Sequence, residues 1–449
     1  MPKKPTSQFV CQQCSASFTK WAGRCENCGA WNSLVEQAAP TGSTVVATSK
    51  GRPLDAKPIT EVVPSSAKGR ITTGMNDVDA VLGGGIVPAS VVLIAGQPGI
   101  GKSTVLMQIG HEVSKDRKVL YVSGEESAGQ VKVRADRLGA EHANLHLASS
   151  TSADDIAATI AANTYELVIV DSIQTLVMND IASAAGSVSQ ITNSSNLLTQ
   201  AAKKTDTALI IVGHVTKEGS IAGPKILEHM VDVVVNLEGD RYGGFKMMRA
   251  IKNRYGSTSE VGIFEMDDSG LKPVENPSAA LLEERTTSDG AVIFATMEGN
   301  RPLLVEIQAL VNKTHFGYPK RTASGFDLNR LNVLVAVLER RTKLNLSDSD
   351  IYINVVGGIK LQDPAADLAV CMAIASASKE MQLDAKAVVF GEVGLSGEIR
   401  SVTHTDRRTA EAKKLGFTYA IGPKSSTKTS FLKPTASVRD ALNTYLQRT

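Results

Sequence analysis

The sequence has little net charge, no long apolar run and few cysteines, and each shortage excludes a class of protein. Lys and Arg number 48 against 46 Asp and Glu, which leaves a formal net charge of +2. Because so small a charge gives no global attraction to a polyanion, any nucleic-acid surface must be local. No apolar stretch reaches the roughly 18 residues of a transmembrane helix, so we expect no membrane span.

The beginning of the chain lacks the apolar core of a signal peptide, since residues 1–8 are mostly polar. This predicts a cytoplasmic protein. In that reducing compartment, clustered cysteines indicate metal binding more than disulfides. The 449 residues suffice for about three domains of ~150 residues each, with a sizeable core.

Four of the five cysteines form two C-x-x-C pairs with ten residues between the pairs. They are Cys11, Cys14, Cys25 and Cys28. This spacing predicts a zinc ribbon with four cysteine ligands over residues 1–36, stabilised mainly by its metal, with Trp21 and Trp31 as a small hydrophobic lid. A redox dithiol pair is the alternative, but no thioredoxin-like βαβ pattern surrounds these cysteines. Cys371 lies in an apolar helical run and is expected in the core.

A phosphate-loop pattern, G-x-x-x-x-G-K-[ST], lies between an apolar β-type run and a helical stretch. In this context the glycines turn backbone N–H groups toward the phosphates of ATP, and the helix N-terminus adds a positive field. Lys102 is expected to reach the β- and γ-phosphates and Ser103 to hold Mg²⁺. The predicted nucleotide-binding residues of the loop are Gly96, Gln97, Pro98, Gly99, Ile100, Gly101, Lys102, Ser103 and Thr104.

Residues 58–270 alternate apolar β-type runs with helical stretches, which predicts a parallel sheet covered by helices. Acidic residues follow two of these runs. Glu125 is the candidate for orienting and deprotonating the attacking water, and its neighbour Glu126 could do this instead. Asp171 is expected to face Mg²⁺. His214 ends a further run and either senses the γ-phosphate or is only structural.

A basic five-residue segment, Lys252-Asn253-Arg254-Tyr255-Gly256, follows later in the same region. It is either a solvated turn or, if subunits form a ring, a source of positive charge for a neighbour's nucleotide. In the second case Lys252 and Arg254 would steady transition-state charge as arginine fingers do.

Breaks in composition divide the chain. Residues 37–57 and 271–284 are predicted linkers, rich in small residues or interrupted by prolines. Residues 285–449 are predicted to form an α+β domain, in which 292–299 and 302–307 pair as strands and 328–340 form an amphipathic helix.

The order of these motifs resembles that of the bacterial RadA (Sms) family of RecA-related DNA repair ATPases. The resemblance rests on the cysteine pairs, Thr73-Gly74-Met75, Gly83-Gly84-Gly85, the phosphate loop, Gly124-Glu125-Glu126-Ser127, Asp171-Ser172 and the basic segment, where Tyr255 replaces the family's usual Phe. It implies an α/β fold with a RecA-like core, assembled as a homohexameric ring. It also implies an ATP-driven motor on single-stranded and branched DNA, working with the RecA recombinase, in which Lys252 and Arg254 couple ATP turnover to DNA.

The C-terminal third resembles the proteolytic domain of Lon, most visibly in residues 363–367 and 391–397. Counting along these landmarks without gaps places Ala365 at the position of the Ser nucleophile and Asp406 at that of the Lys base. Both reactive groups are missing, so we expect a scaffold domain. Several basic residues could contact DNA phosphates, although such runs are more often solvated helix faces. They are Arg340, Arg341, Lys343, Arg407, Arg408, Lys413 and Lys414.

The sequence is consistent with three functions. The leading hypothesis is a DNA-dependent ATPase motor for recombination and repair. The second is an ATP-dependent protease or its regulatory relative, suggested by the Lon-like third. The third is an adaptor that binds nucleotide to form rings and recruits a recombinase through the zinc module without motor activity.

Overall fold

The computed structural model describes residues 7–13, 16–38, 58–61, 69–214, 226–239, 245–314, 317–424 and 430–448. The chain divides into two compact units. The N-terminal unit comprises Met1–Glu238 and Lys246–Pro273, and the C-terminal unit comprises Gly239–Phe245 and Val274–Thr449. Of the predicted linker 37–57, only residues 37 and 38 lie within the described part of the chain.

The N-terminal unit begins with a three-stranded antiparallel sheet in the order β2-β1-β3. Its strands are β1 (Ser7–Cys11), β2 (Ser17–Phe18) and β3 (Leu34–Ala38). The small core of this ribbon contains Cys11, Cys25 and Leu34, with Phe9, Phe18 and Ala22 packed against it. The prediction that Trp21 and Trp31 form a lid is wrong. Their side chains are 59% and 73% exposed, because thiols and phenyl rings already fill the interior.

A nine-stranded sheet forms the body of this unit, in the order β12-β11-β10-β9-β4-β8-β7-β5-β6. Strands β4 to β9 are parallel, and β10, β11 and β12 extend the sheet with antiparallel pairing. The strands are β4 (Val91–Gly96), β5 (Val119–Ser123), β6 (Leu145–Ser149), β7 (Leu167–Asp171), β8 (Ala208–His214), β9 (Val233–Gly239), β10 (Lys246–Asn253), β11 (Val261–Asp267) and β12 (Gly270–Pro273). The helices are α1 (Asn76–Val81), α2 (Lys102–Ser114), α3 (Ala128–Arg137), α4 (Ala153–Ala162), α5 (Val188–Lys204) and α6 (Ile226–Met230).

The central strands are buried on both faces, which explains their continuous apolar runs. Alternate residues of β4 enter different hydrophobic clusters: Val92 and Ile94 join one, and Val91 and Leu93 join the other. Because the strands are parallel, their carboxyl ends share one edge of the sheet, where Gly96 pairs with His214 and Ser123 with Asp171. The side chains that follow each strand therefore lie close together at this edge.

The C-terminal unit contains a seven-stranded mixed sheet in the order β15-β16-β14-β13-β18-β21-β22. Its strands are β13 (Ala291–Glu298), β14 (Arg301–Lys313), β15 (Arg321–Ser324), β16 (Ser349–Val355), β18 (Ala387–Val389), β21 (Tyr419–Gly422) and β22 (Leu432–Pro434). Two small pairs are β17 (Gln382–Leu383) with β23 (Leu446–Gln447) and β19 (Glu392–Val393) with β20 (Ile399–Arg400). The helices are α7 (Pro277–Leu282), α8 (Leu328–Thr342), α9 (Asp367–Lys379), α10 (Thr405–Lys414) and α11 (Val438–Tyr445).

The predicted α+β character of this unit is confirmed. The hairpin of β13 and β14 has Glu298 opposite Arg301 around its turn, and the amphipathic helix begins at Leu328 as expected. Helix α9 is buried over its first ten residues, since apolar or small side chains occur all round it. Among the described helices of both units, none is long and apolar enough to cross a bilayer.

Candidate nucleotide-binding site

The phosphate loop joins the end of β4 to the start of α2. Gly99 and Gly101 have φ angles of +79° and +114°, a region that favours glycine. A Cβ on Gly101 would lie 2.4 Å from Cε of Met266, and one on Gly96 would lie 2.6 Å from the carbonyl oxygen of Leu237. Neighbouring atoms therefore pack closely against Gly96 and Gly101, whereas nothing lies within 4 Å of a Cβ on Gly99. Together with the first N–H groups of α2, this forms a cradle suited to phosphates.

Lys102 is buried at the first position of α2. Its Nζ donates hydrogen bonds to the carbonyl oxygens of Gly96 (3.0 Å) and Gln97 (3.1 Å). Burial lowers the pKa of Lys102, and the nearby carboxylates of Asp171 and Glu125 oppose that shift. The lysine therefore shares one electrostatic environment with both acids. Phosphate oxygens would offer it stronger, charge-assisted partners than the loop carbonyls.

Asp171 ends β7 beside this loop and is held by a buried tyrosine. Its Oδ2 accepts a hydrogen bond from the hydroxyl of Tyr121 at 2.7 Å. Burial and the charge of Asp171 raise the pKa of Tyr121 well above its usual value, so the phenol keeps its proton and donates. Sequence reasoning missed Tyr121. The available signal was a polar aromatic residue within the otherwise aliphatic run of β5.

The two neighbouring glutamates face different partners. Ser172, directly after Asp171, donates its hydroxyl to Oε1 of Glu125 at 2.5 Å. The carboxylate of Glu126 instead pairs with Nη2 of Arg134 at 2.6 Å on α3. Only Glu125 is thus connected to the end of β7. The contact of Ser172 with Glu125 joins residues 47 positions apart and could not be read from the sequence.

The residues present fit a magnesium ion as well as a nucleotide. Ser103 and Thr104 are half-buried at the second and third positions of α2. A hydroxyl and a carboxylate are hard oxygen donors of the kind that Mg²⁺ binds beside phosphates. The backbone of His214 pairs with Gly96 at the same edge, and its side chain lies outside the described atoms.

Lys252 and Arg254 lie where the parallel strands begin, on the side of the sheet opposite the phosphate loop. Lys252 Nζ donates to the carbonyl oxygens of Glu228 in α6 (2.6 Å) and of Val231 just after it (2.7 Å). Nη1 of Arg254 pairs with Oδ1 of the buried Asp232 at 2.9 Å.

Asp232 locates this basic segment in the sheet. Its Oδ2 accepts from the N–H of Val91 at 3.0 Å. Val91 begins β4 and the phosphate loop follows the end of β4, so about 20 Å of strand separates them. The structure therefore does not bring Lys252 or Arg254 to Lys102 of the same chain.

The ribbon cysteines meet the requirements of a zinc site. The sulfur atoms of Cys11, Cys25 and Cys28 all lie within 4.8 Å of one another, and those of Cys11 and Cys28 are 3.6 Å apart. A tetrahedral ion with Zn–S bonds of about 2.3 Å needs sulfurs about 3.7 Å apart. Cys14, the fourth predicted ligand, lies outside the described residues. Zinc bound here would join these cysteines and stabilise the fold of the ribbon, because its hydrophobic core is small.

The Lon-like landmarks of the C-terminal unit carry no peptidase dyad at the counted positions. Ala365 is fully buried, and its N–H donates to Oδ1 of Asp363 at 3.0 Å. Asp406 is exposed in the first turn of α10. An alanine has no nucleophile and a solvated aspartate cannot replace a buried lysine base.

Arg408 corrects one of the phosphate-contact predictions. Its side chain has 0% exposure. It donates to Oδ2 of Asp363 at 2.6 Å, to the carbonyl of Thr403 at 3.0 Å and to the carbonyl of Ala295. Arg408 is therefore part of the core and cannot contact DNA. The six other basic residues of that group are exposed.

Comparison with known proteins finds similarity in three parts of the chain and over its whole length. Residues 9–36 match the family described as rubredoxin metal binding domain, residues 60–220 the AAA domain, and residues 329–426 the subunit ChlI of Mg-chelatase. The DNA repair protein RadA of Bacillus subtilis is 46% identical over 456 residues, covering 99% of each chain. The proteins of the same name from Listeria monocytogenes (47% identical, 94% of this chain and 93% of that one) and Aquifex aeolicus (45%, 94% of each) are similarly related.

Proposed function

Because the chain belongs to the RadA family of DNA repair proteins, with a RecA-like core, a zinc ribbon and a Lon-like domain, we propose that it is a DNA-dependent ATPase motor. In this proposal it acts in the cytoplasm with the RecA recombinase. It moves on single-stranded or branched DNA as a helicase and extends strand-exchange joints during recombination. One observation carries the proposal. Lys102, Glu125 and Asp171 lie together at the edge where the parallel strands end, the phosphate-loop edge. Lys252 and Arg254 lie at the opposite edge, where these strands begin.

Each residue of the phosphate-loop edge has a defined task. The backbone of residues 96–104 binds the phosphates of ATP, and Lys102 leaves its carbonyl partners for the β- and γ-phosphates. Ser103 and Asp171 would hold Mg²⁺, which would neutralise phosphate charge at this site. Glu125, oriented by Ser172, accepts a proton from the attacking water. His214, next to Gly96 in the sheet, responds to the presence of the γ-phosphate.

The opposite edge suits contact with a neighbouring subunit. In a homohexameric ring built head to tail, this edge of one subunit meets the phosphate-loop edge of the next. Arg254 is anchored by Asp232 yet remains 54% exposed, so its guanidinium can stabilise charge on the neighbour's nucleotide. Lys252 would transmit the state of that nucleotide to the end of α6. The division into ribbon 1–36, ATPase domain 58–270 and scaffold 285–449 belongs to the same proposal.

The test combines ATP turnover with and without single-stranded DNA and the unwinding of forks that carry 5′ or 3′ tails. Lys252→Ala and Arg254→Ala should retain nucleotide binding and lose both DNA-stimulated turnover and unwinding. Lys272→Ala, which changes an exposed lysine of β12, is the matched control and should behave as the wild type. A wild-type chain that forms nucleotide-dependent rings but neither responds to DNA nor unwinds forks would support the adaptor instead.

The two glutamates should differ sharply when each is neutralised. We expect Glu125→Gln to lower kcat by about 10²–10⁴-fold, because the amide cannot accept the proton from water. Glu126→Gln should retain most activity, since its partner is Arg134. Phosphate release measures kcat, and a fluorescent ADP analogue verifies that both variants bind nucleotide. A deeper loss in Glu126→Gln would reverse the assignment.

Tyr121 is expected to act as a positioning residue for Asp171. Tyr121→Phe removes the hydroxyl and keeps the buried ring, so we expect the Mg²⁺ concentration for half-maximal turnover to rise about tenfold. At saturating Mg²⁺, kcat should return close to the wild-type value. Tyr165→Phe is the control, because that buried hydroxyl contacts His146 rather than the site. A fall in thermal stability without a shift in the Mg²⁺ titration would mean that Tyr121 is only structural.

A further inference from the structure

The zinc ribbon carries both tryptophans of the chain, and both are exposed. The sequence contains two tryptophans, and the exposed fractions of Trp21 and Trp31 are 59% and 73%. Neither belongs to the cluster around Cys11, Cys25 and Leu34. Packing of the ribbon therefore does not explain why these positions hold indole rings. Large exposed aromatic rings are typical of surfaces that bind a partner.

The two rings project from adjoining backbone segments. Arg24 and Trp31 form an antiparallel bridge, and the N–H of Asn32 donates to the carbonyl of Gly23 at 2.8 Å. A Cβ on Gly23 would lie only 3.8 Å from Cη2 of Trp21, so the first indole lies against the backbone next to Arg24. The second indole lies directly across the bridge from Arg24.

A cation is fixed over the more exposed ring. The guanidinium carbon of Arg24 lies 5.8 Å from the centre of the Trp31 ring. Its Nε donates to the carbonyl of Gly29 at 2.9 Å, which orients the planar group. Arg24 is exposed, and Lys20 next to Trp21 is exposed as well. Positive charge thus accompanies both indoles.

The surroundings of the rings favour a nucleic acid over a protein. Within the described residues of the ribbon, the two tryptophans are the large hydrophobic side chains that are exposed. Thr19 and Asn32, close to the tryptophans in the sequence, are exposed as well. A protein-binding patch usually needs a larger contiguous apolar surface, whereas two indoles beside cations suit stacking of bases with contacts to phosphates.

We infer that Trp21, Trp31 and Arg24, with Lys20, form a stacking platform for unpaired bases of single-stranded DNA. The inference rests on the proposed function, which it deepens by naming the part of the chain that binds the strand. A duplex should not stack on this platform, because its bases are already stacked on one another. The platform is tied to the ATPase core, since the hydroxyl of Ser189 on α5 donates to the carbonyl oxygen of Glu36 in β3.

Intrinsic fluorescence tests the inference in the full-length, zinc-loaded protein. Because both tryptophans lie in the ribbon, their emission reports on that module alone. We expect an oligothymidylate to quench the emission and a blunt duplex of the same length to leave it unchanged. Anisotropy of a labelled oligothymidylate gives the extent of binding under the same conditions.

Substitutions locate the contact. Trp31→Ala should weaken oligothymidylate binding about tenfold or more, and Trp31→Phe should retain most of the affinity because a phenyl ring still stacks. Tyr318→Ala, which removes an aromatic ring that is 88% exposed in the C-terminal unit, is the matched control and should bind as the wild type. Zinc content, measured with a chromogenic chelator, verifies that each ribbon is intact.

Failure of the stacking platform and failure of the proposed function give different results in these experiments. Unchanged emission while anisotropy shows saturated binding would overturn the platform and leave the proposed action on DNA standing. Absence of any oligonucleotide binding would overturn both. Quenching by purified RecA alone, without a response to DNA, would assign the surface to a protein partner and would also overturn the inference.

Discussion

Lys102→Ala is expected to abolish ATP turnover, with a loss of kcat of at least about 10²–10³-fold. The ammonium group is buried at the start of α2, on the carbonyl oxygens of Gly96 and Gln97. Among the described lysines, the other buried one is Lys246 on β10, and β9 separates that strand from β4. The variant therefore has no substitute for the charge in the loop. The loss should appear both without DNA and with single-stranded DNA, because the proposed contact of the lysine with phosphates does not require DNA.

The measurement is phosphate release, with nucleotide affinity determined in parallel. Lys115→Ala is the matched control, because Lys115 follows α2, is half-exposed and pairs with Glu112 at the surface, where an ion pair contributes little. It should turn over ATP at the wild-type rate. If Lys102→Ala and the wild type hydrolysed ATP equally fast, the phosphate loop would not be the catalytic site and the motor would have to be abandoned.

Arg408→Ala is expected to cost the C-terminal unit about 3–5 kcal/mol of its free energy of unfolding. The substitution removes three hydrogen-bond donors from the core and leaves the carboxylate of Asp363 without its cation. It also removes the guanidinium that lies 5.9 Å from the centre of the Phe390 ring. A loss of this size is a large part of the stability of an ordinary domain.

Hydrogen exchange is the appropriate measurement, since both tryptophans lie in the ribbon and do not report on this unit. Amides of β13 and α10 should lose protection, while those of β4 and β7 in the N-terminal unit should keep it. Arg407→Ala is the neighbouring control: that side chain is exposed and bonds to Asn300, so protection should change little. Equal effects of the two substitutions would contradict the structural role assigned to Arg408.

The basic residues of the chain therefore have different expected roles. Lys102 is buried and is proposed to act on phosphates, whereas Arg408 is buried and bonds to Asp363 and two carbonyl oxygens of the core. The exposed group on α8 and α10, which includes Arg340, Arg341 and Lys414, keeps its predicted role as a possible phosphate-contacting surface. A charge count cannot make these distinctions, because burial and partners decide what a cation does.

Features written in consecutive residues were predicted from the sequence alone. The phosphate loop needs glycines at fixed intervals between a strand and a helix, and each of these lies within one short segment. The same holds for the cysteine pairs, for the helix beginning at Leu328 and for the hairpin of β13 and β14. Such patterns are local, because backbone conformation and metal-ligand spacing depend on neighbours in the chain.

The tertiary structure alone decided which distant residues meet. The contacts of Tyr121 with Asp171 and of Ser172 with Glu125 depend on the pairing of β5 with β7. The different partners of Glu125 and Glu126 likewise depend on where the fold places Ser172 and Arg134.

Two predictions were wrong because they concerned burial. Trp21 and Trp31 were wrongly placed in a lid and Arg408 wrongly placed at the surface, because composition does not reveal which side chains fill a core. Lys252 and Arg254 lie a full strand length from Lys102, since β10 ends where β4 begins. Periodicity determined the elements of this protein, whereas sheet order and register, which join residues far apart in the chain, determined its site.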